Sequence, residues 1–276
     1  MRARTTNEIS QNGRLDYLFL SNLLYKREPF TFIRFSDGEM EIVRNHRLLI
    51  GDGHISWSKG EIEFRYPDFD KKEFIPERDS KLREDLLASA RFKSEYFFKG
   101  IPASHNKAIT DRDLLVELNG NTLTNLTFAD LFINQNFLKF RRNILPMFHG
   151  FDNVYYLGNF RANPELANPS WKLIPLQDNF FENYENVLEN CMSELKSLPK
   201  NSLVLSSASS LTNILGYQLR GFRKDLTFFD VGTSLHDLVG LQGGIREYHA
   251  LIGSNSPKGI YRKLRLVSSP SFKLRW

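Results

Sequence analysis

The sequence predicts an α/β protein: a Rossmann-like, mostly parallel sheet flanked by helices, in a single domain. Three observations lead there. Short β-branched and aromatic runs alternate with segments of helical period along the chain. The intervals between runs are long enough for βαβ crossovers, which favours parallel pairing. Several runs end in short polar stretches just before a helical segment, where ligand groups collect in open α/β sheets.

The elements follow in order. Residues 9–26 read as a helix, with Leu15, Leu18, Leu23 and Leu24 near one stripe. Glu28-Pro29 ends it. Residues 31–35, Thr-Phe-Ile-Arg-Phe, read as a buried strand, and a helical pattern begins near Met40. Residues 48–55 form a short apolar piece broken by glycines, and 66–76 read as a loop rich in charge and aromatics. Residues 80–92 read as a helix with Ser80 as N-cap. A strand is expected over 96–102, then helices over 111–118 and 127–140. Strands are expected over 153–158 and 171–176, and the longest later helix over 179–198. A strand at 202–205, a helix at 211–220 and a strand at 226–229 complete the pattern. No internal repeat or low-complexity tract interrupts it.

Composition is that of a soluble globular chain: 41% hydrophobic and 25% charged residues over 276 positions. The single cysteine, Cys191, excludes an intramolecular disulfide and fits a reducing, cytoplasmic compartment. Residues 1–11 are polar and do not read as a signal peptide, and no apolar run is long enough to span a bilayer. Net charge is +5, yet residues 255–276 alone contribute six Lys and Arg and no acid. The rest of the chain is near neutral, which argues against a broad nucleic-acid surface. The basic tail carries Ile260, Tyr261, Leu264 and Val267 near one helical stripe, a pattern that suits peripheral contact with an anionic membrane or a last core element.

Asp37 and Glu39 stand one glycine apart directly after the 31–35 run. If the chain is still extended there, both carboxylates project to one side. Such a pair suits Mg²⁺ or Mn²⁺ shared with a phosphorylated substrate. The same residues, Ser36-Asp37-Gly38-Glu39, also fit a helix capping box. Farther on, Ser206-Ser207-Ala208-Ser209-Ser210 lies between a strand and a helix start. Backbone N–H groups, hydroxyls and the helix dipole there favour a phosphate, although serines chosen for turn geometry would look alike. Asp230 closes the last strand and points toward the same crevice. His236 and Asp237 after it, His105 at a strand end and Asp130 on a predicted helix are further acid–base candidates, each with a structural alternative. The chain has no Walker motif and no G-x-G-x-x-G after a strand. H-E-x-x-H, C-x-x-C and G-x-S-x-G are also absent.

Three segments in order carry a family likeness. Arg34-Phe35-Ser36-Asp37-Gly38-Glu39 follows a strand. Ile174-Pro175-Leu176-Gln177-Asp178-Asn179-Phe180-Phe181-Glu182-Asn183-Tyr184 opens a helix. Val204 to Ser210, then Leu215-Gly216-Tyr217-Gln218-Leu219, lead to Phe229-Asp230-Val231-Gly232. Over residues 29–240 the chain resembles the GT-D glycosyltransferases, Rossmann-like enzymes that use nucleotide sugars and an Asp-x-Glu metal motif. It departs at Ser36, where the family has glycine, at residues 157–163, and after Asp230. The resemblance implies metal-dependent transfer of a sugar from a nucleoside diphosphate sugar, a UDP-sugar first among them, to a glycan or lipid-linked acceptor. It implies that Asp37 and Glu39 hold Mn²⁺ or Mg²⁺. Arg34, Ser36, Asn179, Asp230 and the serines Ser206, Ser207, Ser209 and Ser210 would surround the donor. Two other readings stay open: a non-catalytic nucleotide- or sugar-binding protein, and a metal-dependent phosphohydrolase.

Overall fold

A computed structural model describes residues 13–51, 63–67, 71–102, 106–241, 246 and 248–249. His105 and the basic tail at 255–276 lie outside them. The helices are α1 (Gly13–Lys26), α2 (Asp37–Val43), α3 (Ser80–Arg91), α4 (Asn106–Leu118), α5 (Phe137–Lys139), α6 (Leu145–Phe148), α7 (Tyr184–Ser197) and α8 (Ser210–Phe222). The strands are β1 (Thr31–Arg34), β2 (Arg47–Gly51), β3 (Glu63–Pro67), β4 (Lys72–Phe74), β5 (Phe97–Ile101), β6 (Leu126–Phe128), β7 (Val154–Asn159), β8 (Lys172–Leu176), β9 (Leu203–Ser206) and β10 (Thr227–Asp230).

Seven strands form one sheet in the order β6-β5-β1-β10-β9-β7-β8, and every pairing in it is parallel. The α/β, Rossmann-like expectation holds. Because the sheet is covered on both faces, its central strands are buried end to end: β1, β9 and β10 have no exposed residue. Side chains alternate between two cores. Ile33, Phe97, Val204 and Phe228 face one, with Leu86 of α3 and Leu211, Ile214 and Leu215 of α8. Phe32, Phe98, Leu205 and Phe229 face the other, an aromatic cluster with Phe132, Phe140 and Phe148. There the Phe32 and Phe132 rings meet edge to face at 5.5 Å. α8 presses closely on β1: a Cβ at Gly216 would stand 2.6 Å from Ile33 Cγ2.

A second sheet, β3-β2-β4, stands apart from the main one. It corrects the loop expected at 66–76. Lys72 and Phe74 are buried while Glu73 between them is half-exposed, and Phe74 meets Phe181 edge to face. The signal was only three residues long and diluted by charge. The helix expected over 127–140 is also corrected. Its first residues form β6, paired with β5, and residues 134–148 run as a 3₁₀ turn, α5, a π-type turn over Phe140–Ile144 and α6. Aromatic spacing there suited either period, and the free sheet edge at β5 decided it. Asp79, not Ser80, is the N-cap of α3. α7 starts at Tyr184 after a 3₁₀ turn at Phe180–Asn183, later than the helix expected from 179. Among the described residues no helix is long and apolar enough to cross a membrane.

Candidate functional site

The sheet order reverses around β1 and β10. β1 continues outward to β5 and β6, whereas β10 is reached from the opposite side through β9. A crevice outside the C-terminal ends of these strands is the expected ligand position in such a sheet. Arg34 ends β1, Asp230 ends β10 and Ser206 ends β9, with Asp230 and Ser206 in register. Three segments that sequence reasoning singled out therefore meet at one edge.

Arg34 and Asp230 are both buried, and Arg34 Nη2 donates to Asp230 Oδ1 at 2.8 Å. The Gly232 N–H donates to the same oxygen at 2.8 Å. Burial pushes the Asp230 carboxyl up from its ordinary range, against the pull of Arg34. Burial also works against the Arg34 charge, and Asp230, joined by Tyr248 and Glu39, raises its pKa overall. Gly232 is required here for two reasons. Its φ is +47°, and a Cβ would fall on Arg34 Nη2. Asn213 Nδ2 donates to the Arg34 carbonyl at 2.9 Å, tying α8 to the end of β1.

α2 begins directly at Asp37, with Ser36 as an extended N-cap and a capping box closed by Glu39. Glu39 Oε2 accepts from the Ser36 N–H at 3.0 Å and from its hydroxyl at 2.6 Å. The extended-chain condition is thus not met. On a helix, positions two apart diverge by about 200°, so Asp37 and Glu39 do not share a side by strand alternation. Glu39 turns inward and is buried, whereas Asp37 stays half-exposed and Ser36 exposed. Glu39 Oε1 accepts one bond, 3.2 Å from the Ser209 hydroxyl, 170 positions away.

Ser209 caps α8 with φ 51° and ψ −140°, a backbone that non-glycine residues rarely adopt, yet its side chain makes no capping bond. Its hydroxyl is committed to Glu39 instead. The Ala208 N–H donates to Thr212 Oγ1, which also meets Ser206 Oγ at 2.8 Å. Ser206 and Ser210 are fully buried, and Ser210 Oγ has no hydrogen-bond partner among the described residues. Ser207 and Ser209 are half-buried. Ser207 Oγ lies 2.9 Å from Nε2 of buried His236.

The remaining expected residues have the following partners. Asn179 adopts the left-handed conformation. Its Oδ1 accepts from the Glu73 N–H at 2.9 Å and its Nδ2 donates to Glu182 at 2.7 Å, clasping the small sheet to the turn before α7. Asp237 accepts from Arg141 at 3.0 Å and faces His249 at 3.6 Å. Asp130 is buried just past β6, where its carbonyl accepts from Asn136. The adjacent carbonyl, of Ala129, lies 3.4 Å from Arg34 Nη1.

Sequence reasoning missed Asn213 and Thr212. Both are polar residues fully buried in a helix whose buried face also carries Leu211, Ile214, Leu215 and Leu219. A polar pair at the start of an apolar stripe was the available signal.

In donor chemistry the carboxylates suit Mg²⁺ or Mn²⁺. They are hard oxygens, and among the described residues Glu39 Oε1 is engaged only by a rotatable hydroxyl. Among the described residues no group of three or more His, Cys, Asp or Glu is gathered for a metal. Because α2 sets the two carboxylates on diverging sides, an ion on Glu39 would be shared by Asp37 only if that half-exposed side chain turned toward it, and would take its other oxygens from water and ligand, as Mg²⁺ commonly does.

No family model matches the chain, and no curated protein matches its sequence. The structure is similar to that of "A New Glycosyltransferase (DUF1792) from Streptococcus sanguinis", with a TM-score of 0.48 and 12% identity over 83% of this chain and 82% of that one. It is also similar to a structure described as "The highly conserved domain of unknown function 1792 has a distinct glycosyltransferase fold", with a TM-score of 0.41 and 13% identity over 83% and 88%. Nothing about the chemistry of this chain follows from similarities of that size. Its own architecture is the α/β, Rossmann-like one, with its candidate groups gathered at the switch point between β1 and β10.

Proposed function

We propose that the protein is a glycosyltransferase that takes a sugar from a nucleoside diphosphate sugar, a UDP-sugar first among them, and passes it to a glycan or lipid-linked carbohydrate acceptor. One observation carries the reading: the carboxylate of Glu39 lies 3.2 Å from a hydroxyl at the N-terminus of α8. A helix N-terminus favours an anion, and a carboxylate beside it repels one. The two are reconciled when a divalent cation joins carboxylate to phosphate, which is the need of a departing nucleoside diphosphate. Asp37 and Glu39 would hold Mn²⁺ or Mg²⁺, and the ion would neutralise charge on the leaving diphosphate. Ser207 and the first N–H groups of α8 bind and orient the phosphate oxygens, and Ser209, bonded to Glu39, sets the carboxylate beside them. Arg34 and Asp230, paired with each other, fix the ends of β1 and β10 so that the two loops keep their spacing.

The test is incubation of the purified chain with a panel of nucleotide sugars and carbohydrate acceptors, with Mn²⁺ and with chelator. Transfer that needs the cation supports the reading. Release of free sugar or phosphate alone points to a metal-dependent phosphohydrolase. Binding without turnover points to a non-catalytic nucleotide- or sugar-binding protein.

A further inference from the structure

We propose that His236 acts through Ser207 as a positioning residue: its Nε2–H holds the Ser207 oxygen so that the hydroxyl proton is presented to a phosphate oxygen. The proposal rests on the reading of 206–210 as the diphosphate site.

Each serine of the loop has one hydroxyl proton to give. Ser206 and Ser210 are fully buried, so the half-buried Ser207 and Ser209 are the two that can reach a ligand. The Ser209 proton is directed at Glu39 Oε1. Ser207 is left as the hydroxyl the loop can offer. What it offers depends on the ring 2.9 Å away and on the Tyr156 hydroxyl, which also neighbours it. A bare Nε2 would take the proton and leave Ser207 showing only lone pairs, which an anion avoids. A protonated Nε2 makes Ser207 an acceptor from behind and a donor in front. Phosphate oxygens accept, so the binding-competent arrangement carries hydrogen on Nε2.

The ring is set for this task. His236 is buried, its N–H donates to the Thr233 carbonyl at 3.1 Å, and its own carbonyl accepts from Leu241 at 2.8 Å. Its backbone is therefore held from both sides. Burial raises the pKa of Tyr156 beside Ser207, so this phenol adds no negative charge behind the loop. Next along the loop, Ser210 Oγ, fully buried in the first turn of α8, lacks a hydrogen-bond partner among the described residues, although such hydroxyls are seldom left unsatisfied.

The experiment is calorimetric titration of the full chain with uridine diphosphate and, in parallel, with inorganic pyrophosphate, alongside thermal melts. Ser207→Ala should weaken both by about tenfold, the loss of one charge-assisted hydrogen bond. His236→Leu should weaken them similarly in the native background and cost nothing further in Ser207→Ala. His236→Gln, which keeps an N–H donor, should stay within about threefold of wild type. Ser207→Ala that melts and binds as wild type does would overturn the proposal. So would an equal cost of His236→Leu with and without Ser207. If His236→Leu does not fold, Ser207→Ala and His236→Gln decide alone. A wild-type chain that binds neither probe would overturn the phosphate reading itself, and the pair with it; binding that is indifferent to Ser207 overturns the pair only.

Discussion

Arg34 and Asp230 join the C-terminal ends of β1 and β10 through a buried 2.8 Å ion pair. Removing one partner of such a pair leaves the other charge buried and uncompensated. Asp230→Ala should therefore lower stability by about 3–5 kcal/mol. The double variant Arg34→Met, Asp230→Ala should cost clearly less than the two single changes added together. Urea unfolding of the four proteins measures this, and simple additivity would show that the pair contributes no coupling.

Gly232→Ala acts on the same pair from the other side. The substitution needs a left-handed backbone and places a methyl group on the Arg34 guanidinium. A loss of about 2 kcal/mol or more is expected, beyond the roughly 1 kcal/mol of a left-handed alanine alone. Much of the excess should vanish in an Arg34→Met background, where the obstructing head group is gone. An equal loss in both backgrounds would assign it to the backbone alone.

The carboxylates after β1 separate a cap from a catalytic ion site. Asp37→Asn and Glu39→Gln keep oxygen acceptors, and Glu39→Gln still closes the capping box with Ser36. Both variants should melt close to wild type. If the ion stabilises several kcal/mol of leaving-group charge, both should lose about 10²-fold or more in sugar transfer. Near-normal transfer, or full activity in excess chelator, would leave these residues as a cap.

Much of this arrangement is legible in the sequence alone. The strands β1, β5, β7, β9 and β10 stand out there because they are largely buried and form short apolar runs, and β8 because Leu173-Ile174-Pro175-Leu176 is apolar although Lys172 and Pro175 are exposed. The serine loop and Asp230 fall at strand ends, as expected, because turn chemistry and the β-to-α change of period coincide there. β4 and β6 are not legible. Each has three residues, and each is a strand because a partner strand offers an open edge, which is tertiary information. Asn179 was expected at the donor because its segment matches a motif. In the structure both ends of its amide are engaged within the scaffold, a fact no local pattern encodes. The strain at Ser209 is equally hidden, since serine gives no warning of a positive φ.

Lys99 supplies a test by pH. Burial lowers its pKa from the ordinary 10.5 to about 7. Its Nζ nevertheless faces three acceptors, the carbonyl oxygens of Ala90 and Phe92 and Asn119 Oδ1, at 2.6, 3.0 and 2.7 Å, which the ammonium serves in full and the neutral amine, with two N–H bonds, only in part. In the unfolded chain the lysine charges below its ordinary pKa, while in the fold it resists charging until about pH 7. Stability from this group is thus complete above the unfolded pKa and is lost as pH falls toward the folded one. Lys99→Met loses the hydrogen bonds at every pH but not this slope. The gap between wild type and Lys99→Met should narrow by up to about 1.4 kcal/mol per unit between pH 10 and 8. Urea midpoints at three pH values would show it. A constant gap would mean that three oxygens keep the ammonium charged, with its ordinary pKa.

The absence of a side chain at Gly216 sets more than the packing of one helix. The backbone of α8 lies so near β1 that Ile33 leaves no room for a Cβ. Ser209 caps that same helix, and its first turn carries Ser210 and Thr212. The depth at which α8 seats against the sheet therefore acts as a ruler for the distance between the serines and Glu39. A methyl group added midway along the helix would lengthen that ruler without touching any polar atom. If the serines hold a phosphate, its effect would be felt as a ligand held slightly out of reach, and variation in this buried apolar seam would then tune affinity from outside the crevice.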